Sequence, residues 1–160
     1  MPPAKILSRT MPSIVTAGIV ASSRLTVQTP GTGFTDLTAE ATKFLRQAGA
    51  REGTATLFIR HTSASLTIQE NADPTVLDDL LTALQRAAPE NAGWRHDTEG
   101  PDDMPAHIKT MLTATSLQIP VLDGELALGT WQAIYLIEHR AQPHQREIIL
   151  QFIGGSVSTQ

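Results

Sequence analysis

From Ser13 to Gln28 the apolar residues Ile14, Val15, Ile19, Val20, Leu25 and Val27 recur without a helical period. This predicts extended chain, broken near Gly18 and Ser22-Ser23. Pro30-Gly31-Thr32-Gly33 predicts a turn. Leu37, Ala41, Phe44, Leu45 and Ala48 then fall on one side of a 3.6-residue period, with Asp36 or Thr35 as cap and Gly49 as stop. Two strands follow: Thr54 to His61, with Leu57, Ile59 and His61 on one face, and Ala64 to Glu70, with Leu66 and Ile68 inward. Asp73-Pro74 opens a helix with the stripe Leu77, Leu80, Leu81 and Leu84, ending before Pro89. The polar stretch from Glu90 to Asp103 reads as a long loop, and a short helix runs from there to about Thr113. The rest reads as strand: Ser116 to Val121, a turn at Asp123-Gly124, Leu126 to Arg140, and Glu147 to Ile153.

Three helices and about seven strands that do not alternate as β-α-β units predict one α+β domain with a mixed, mainly antiparallel sheet. Residues 1–11 are expected to be a flexible leader and 12–160 the domain. Ile134 and Leu136 point to one side of their strand, and Tyr135 and Ile137 to the other. Ile148, Leu150 and Phe152 likewise oppose Ile149 and Ile153. A sheet apolar on both sides must be covered on both, and three short helices leave a neighbouring subunit as the economical cover.

Composition sharpens this picture. Charged residues are 18 % of the chain, below the roughly 25 % usual for soluble domains, which also suits a partly covered surface. The net charge of -4 argues against nucleic acid or an anionic membrane as partner. There is no cysteine, hence no disulfide, thiolate metal site or cysteine nucleophile. No apolar run is long enough for a membrane span, and the N-terminal stretch lacks a continuous signal core, so a cytoplasmic protein is expected.

The polar residues concentrate between His96 and His107, where two imidazoles and four carboxylates occupy twelve positions. Such a set suits a divalent cation or a solvated acidic loop with Asp103 as helix cap. His61 ends an apolar file and is followed by Thr62-Ser63-Ala64-Ser65, hydroxyls able to bond phosphate or to orient the ring. Glu138 continues the file of Ile134 and Leu136, so its carboxylate needs a cation: Arg140, a metal or a substrate. Trp131 and Gln132 follow Gly129-Thr130 and offer a stacking plate and an amide, or core filling. No P-loop, dinucleotide fingerprint or nucleophile elbow is present.

Several linked motifs carry a resemblance. His61-Thr62-Ser63-Ala64-Ser65-Leu66, Glu70-Asn71-Ala72-Asp73-Pro74, His96-Asp97 and Glu99-Gly100 are four of them. Asp102-Asp103-Met104-Pro105-Ala106-His107-Ile108-Lys109, Gly129-Thr130-Trp131-Gln132 and Glu138-His139-Arg140 complete the set. In order and spacing, from about Ser13 to Gly154, the chain resembles the YjbQ family. The resemblance implies an α+β homotrimer with sites near subunit boundaries. It also implies a secondary thiamine-phosphate synthase activity, which joins an aminopyrimidine methyl diphosphate to a thiazole ethyl phosphate and releases diphosphate.

The resemblance further implies that His61, His96 and His107 hold a divalent ion, zinc-like or magnesium. His139 is discounted as a ligand. Ser63, Ser65 and Arg140 are then expected to bind phosphate oxygens of a small phosphorylated substrate, with Trp131 and Gln132 holding a ring. Glu70, Asp73 and Glu138 are expected to serve the aminopyrimidine or to brace the metal ligands. The chain departs from the family pattern at Gln69, where an Asn is usual, and at Pro143-His144 and Glu147. A metal-dependent hydrolase or phosphatase, and a non-enzymatic trimeric metal- or ligand-binding protein, are the alternative readings.

Overall fold

The computed structural model describes residues 4–156. The first three residues of the expected leader and the last four of the expected domain lie outside the described residues. The elements in chain order are β1 (Ile19–Thr29), β2 (Gly33–Asp36), α1 (Thr38–Gln47), β3 (Ala50–Ile59), β4 (Ala64–Glu70) and α2 (Pro74–Ala87). They continue as α3 (Asp103–Leu112), β5 (Ser116–Leu122), β6 (Glu125–Leu126), β7 (Gln132–Glu138) and β8 (His144–Ser156). Residues 4–18 carry no regular secondary structure, and Ile6, Leu7, Met11 and Ile14 are exposed.

The strands form two sheets, β1-β8-β3-β5-β6 and β2-β7-β4, rather than the one mixed sheet expected. Every described pair is antiparallel. The reason lies in the connections: α1 joins β2 to β3, and α2 with α3 joins β4 to β5, each time between different sheets. A helix crossover that leaves one sheet for another creates no parallel neighbours.

One hydrophobic core fills the space between the sheets. Leu57, Ile59, Ile119, Ile148, Leu150 and Phe152 come from the larger sheet, and Leu66, Ile134 and Leu136 from the smaller. Helix α1 adds Ala41, Phe44 and Leu45, the period read from the sequence. Its first turn is held where Asp36 accepts from the Thr38 N–H at 2.8 Å. The strand expected from Leu126 to Arg140 is broken, because the chain leaves one sheet as β6 and enters the other as β7. Gln132 ties that passage, its side-chain Oε1 accepting from the Gly129 N–H at 2.8 Å. The short β2, too brief to show a period, is fixed by Phe34 meeting Tyr135 edge-on.

Strand β7 is buried on both sides within the chain, since α3 lies against β4 and covers the outer side of the smaller sheet. The outer side of the larger sheet is different. There Val20, Phe58 and Ile153 stand open. Helix α2, which packs on α3, keeps its leucine stripe only half-buried. No helix among the described residues is long and apolar enough to cross a membrane.

Candidate metal centre

Helix α3 starts one residue earlier in function than its sequence suggests. Asp102, not Asp103, takes the N-cap position, and neither makes a side-chain capping bond. Asp103 in the first turn is 2 % exposed. Its Oδ2 lies 2.8 Å from His96 Nε2 and 3.2 Å from His107 Nε2. Asp103 and His107 share a helix face because they are four residues apart, while His96 arrives from the preceding loop. Arg140 braces the carboxylates, donating to Asp103 and Asp102, and its Nη2 donates to the Glu99 carbonyl at 2.7 Å.

The tautomer of His107 gives this cluster its character. His107 Nδ1 sits 2.8 Å from the Thr62 carbonyl, which can only accept, so Nδ1 carries a hydrogen. Neutral His107 therefore aims the Nε2 lone pair at a carboxylate oxygen. A cation, either a proton or a metal ion, is required between them. One ligand atom each from His96, Asp103 and His107 can be chosen so that all lie within 4.8 Å of one another.

His61 lines a cavity together with Thr62 and His107, but its ring nitrogens are engaged elsewhere. Its Nε2 accepts from the Glu147 N–H at 2.9 Å, and Nδ1 faces Arg146 Nη1 at 3.4 Å. Burial, then the Arg146 charge, holds the imidazole below its ordinary range. The ring is not a member of the His96–Asp103–His107 group. Its neighbour Thr62 reaches that group instead, through the carbonyl that orients His107.

Glu138 finds its cation in Arg146. Arg146 Nε and Nη2 each donate at 2.6 Å, Thr29 Oγ1 donates at 2.7 Å, and the Arg140 N–H at 2.9 Å. Arg146 Nη2 also reaches Ser63 Oγ at 3.0 Å. Burial alone would push the Glu138 carboxyl up; the bonds from Arg146, Arg140 and Thr29 outweigh it and hold it below the usual carboxylate range. Ser65 is fully buried and bonded to His139 and Thr113.

The remaining expected residues sit at the other end of the smaller sheet. Glu70 pairs in register with Gln132, whereas Ala64 pairs with Glu138. Six residues of strand separate the two ends, about 20 Å at 3.3 Å per residue. Glu70, Trp131 and Gln132 line a cavity of about 420 Å³ with Gln69. Asp73 is a helix cap, accepting from the Thr75 N–H at 2.9 Å. The structure thus gathers His96 and His107 in one centre, with Ser63, Ser65, Glu138 and Arg140 in the hydrogen-bonded surroundings of that end, and sets Glu70, Asp73, Trp131 and Gln132 apart.

A family model described as UPF0047 protein YjbQ-like matches residues 23–155. The chain is 48 % identical over 131 residues to UPF0047 protein sll1880 of Synechocystis, covering 81 % of this chain and 89 % of that protein. It belongs to the YjbQ-like UPF0047 family. UPF0047 protein YjbQ of Salmonella typhimurium is 50 % identical over 98 residues, covering 61 % of this chain and 71 % of the relative. A crystal structure of an uncharacterized YjbQ/UPF0047 family protein from Clostridium acetobutylicum superposes with a TM-score of 0.76 at 36 % identity. It covers 81 % of this chain and 98 % of that one. None of these names states an activity.

Against this YjbQ-like fold, two residues stand out. Asp103, which the sequence leaves open between a divalent-cation cluster and a helix cap, lies against both imidazoles; its spacing of four from His107 is the signal for that. His139, next to Glu138, is 2 % exposed. Burial, and then the Lys109 charge, push it from 6.5 down to about 4. As the pH falls, the unfolded chain therefore takes up this proton before the folded one. The stability that His139 contributes is complete above about pH 6.5 and drains away towards pH 4, by about 3 kcal/mol at the low end. Denaturation of the wild type and of His139→Gln across this window should show a steeper acid limb in the wild type; parallel limbs would exclude the buried neutral imidazole.

Proposed function

We propose that this YjbQ-like protein is a divalent-metal-dependent transferase of the thiamine-phosphate-synthase kind, with His96, Asp103 and His107 as the metal ligands. The observation that carries the reading is the His107 lone pair turned on the Asp103 carboxylate beside a second imidazole. The donor set fits. Ligands about 2.1 Å from a tetrahedral ion lie roughly 3.4 Å apart, close to the 3.2 Å between His107 and Asp103. Two imidazoles and a carboxylate favour a zinc-like ion over magnesium.

A bound ion supplies Lewis-acid neutralisation of the charge that gathers on a departing diphosphate. The chain's own residues do the positioning. Thr62 fixes the ring of His107, and Arg140 fixes Asp103 with all three of its nitrogens engaged. His96 and His107 are 46 % and 32 % exposed, which leaves an open side for substrate, whereas a structural ion would be enclosed by protein ligands. Glu70, Trp131 and Gln132 lie about 20 Å of strand away. Their expected role on the aminopyrimidine ring requires that cavity to face the metal centre of a neighbouring subunit. A cytoplasmic homotrimer belongs to the same reading, supported by the half-buried α2 stripe and the open apolar positions of the larger sheet.

After chelation, calorimetric titration with zinc should find one ion per chain. The loaded protein should condense the pyrimidine diphosphate with the thiazole phosphate. Absence of stoichiometric binding overturns the reading, and hydrolysis of phosphoesters without condensation replaces it with the hydrolase. Light scattering should give three times the chain mass; a folded monomer at micromolar concentration would remove the shared site.

A further inference from the structure

On the smaller sheet's outer side, α3 and the end of α2 enclose a second cavity, of about 390 Å³. Lys109 and His139 line it, with Asp102 beside them and Gln85, Glu90 and Asn91 around it. Lys109 is 7 % exposed and His139 2 %. Neither residue belongs to the metal centre.

A chain of three contacts fixes the imidazole. His139 Nε2 lies 2.8 Å from Ser65 Oγ, Ser65 Oγ lies 2.6 Å from Thr113 Oγ1, and Thr113 Oγ1 lies 2.8 Å from the Lys109 carbonyl. The carbonyl can only accept, and each hydroxyl has one hydrogen. Thr113 has one hydroxyl hydrogen for the Ser65 hydroxyl and the Lys109 carbonyl; given to the carbonyl, it leaves Ser65 to donate to Thr113 and His139 Nε2–H to donate to Ser65. His139 Nδ1 is then left with a lone pair. Among the described residues neither Nδ1 nor Lys109 Nζ has a hydrogen-bond partner, and neither atom is fully shut off from solvent. Both residues line the cavity.

The donors and acceptors there select a ligand. One ammonium stands against the lone pair of His139 and the carboxylates of Asp102 and Glu90. Asp102 is already paired with Arg140, so an anion would meet the Glu90 carboxylate and the His139 lone pair against the Lys109 ammonium. A hydroxyl satisfies both unpartnered atoms at once, accepting from Lys109 and donating to His139, and the amides of Gln85 and Asn91 can serve further hydroxyls. We propose that this cavity binds an uncharged, hydroxyl-rich small molecule of monosaccharide size, with one hydroxyl seated between Lys109 Nζ and His139 Nδ1. The volume holds such a molecule and leaves room for water.

The chain has only three lysines, Lys5, Lys43 and Lys109, so amine labelling resolves them by peptide mass. D-ribose and myo-inositol are the probes, with inorganic phosphate as the anionic comparison. Binding of a polyol should move the ¹⁵N resonance of His139 Nδ1 and slow acetylation of Lys109, leaving the exposed Lys43 unprotected. Lys109→Met should weaken polyol binding at least about tenfold. Should that variant fail to fold, the nitrogen shift and the protection of the wild-type protein decide alone. Protection by phosphate instead of the polyols overturns the proposal. So does an Nδ1 resonance unmoved by either polyol up to about 100 mM, far above the millimolar range of weak specific binding.

Discussion

Replacing Glu138 by Ala is expected to cost about 3–5 kcal/mol of folding stability, the largest loss from any single substitution considered for this chain. The carboxylate is 1 % exposed and Arg146 3 % exposed, and the two join opposite sheets at one edge of the core. Removal of Glu138 strands a buried guanidinium and leaves the Arg140 N–H without its acceptor, while Thr29 keeps only the His144 carbonyl. At this chain length the loss should lower the midpoint of thermal unfolding by about 10 °C. Glu138→Leu combined with Arg146→Met removes both charges, and most of the loss should return. The wild type carries the matching pH signature. The folded Glu138 carboxyl lies below its ordinary value of 4.5, so its stabilisation is whole above that pH and disappears as the pH falls through the lower, folded value. A Glu138→Ala protein as stable as the wild type would show that the pair contributes nothing.

On the proposed metal-dependent reading, His107→Ala should reduce zinc affinity and turnover each by more than about 100-fold, because it removes one of the three proposed ligands from an open site. The helix itself is spared, since Ala is the better helix former. The Thr62 carbonyl loses one partner at a partly exposed position, which should cost about 1 kcal/mol. Asp103→Ala gives the informative contrast. As a cap alone it would cost about 1 kcal/mol and leave activity intact. The structure instead buries Asp103 between Arg140 and two imidazoles, so both stability and turnover should fall, and stability by more than a lost cap. Unchanged zinc binding and turnover in His107→Ala would remove the metal centre as the seat of the activity, and the trimeric binding-protein reading would take its place.

Local pattern by itself determined a large part of this protein. The period of three and four residues placed α1, the breaks at Asp73-Pro74 and Asp123-Gly124 lie where the chain turns, and alternation drew β4 from Ala64 to Glu70. Neighbouring residues decide such features, so they survive without knowledge of the fold. Alternation also showed that Glu138 faces the core and must hold a cation. Which cation was a matter of tertiary structure. Arg140 is two residues away but lies past the strand end, turned towards Asp102 and Asp103. Arg146 shares the inward file of β8 with Ile148 and Leu150, and the packing of the two sheets brings it to the carboxylate. His61 follows the same logic, its ring facing the covered side as its file requires, while the Glu147 N–H and Arg146 of β8 decide what it meets. The longest separation came from the sheet itself. Sequence motifs carry no distances, and the antiparallel pairing of β4 with β7 sets Glu70 and Gln132 at one end and Ala64 and Glu138 at the other, because a strand is a rigid spacer of fixed rise per residue.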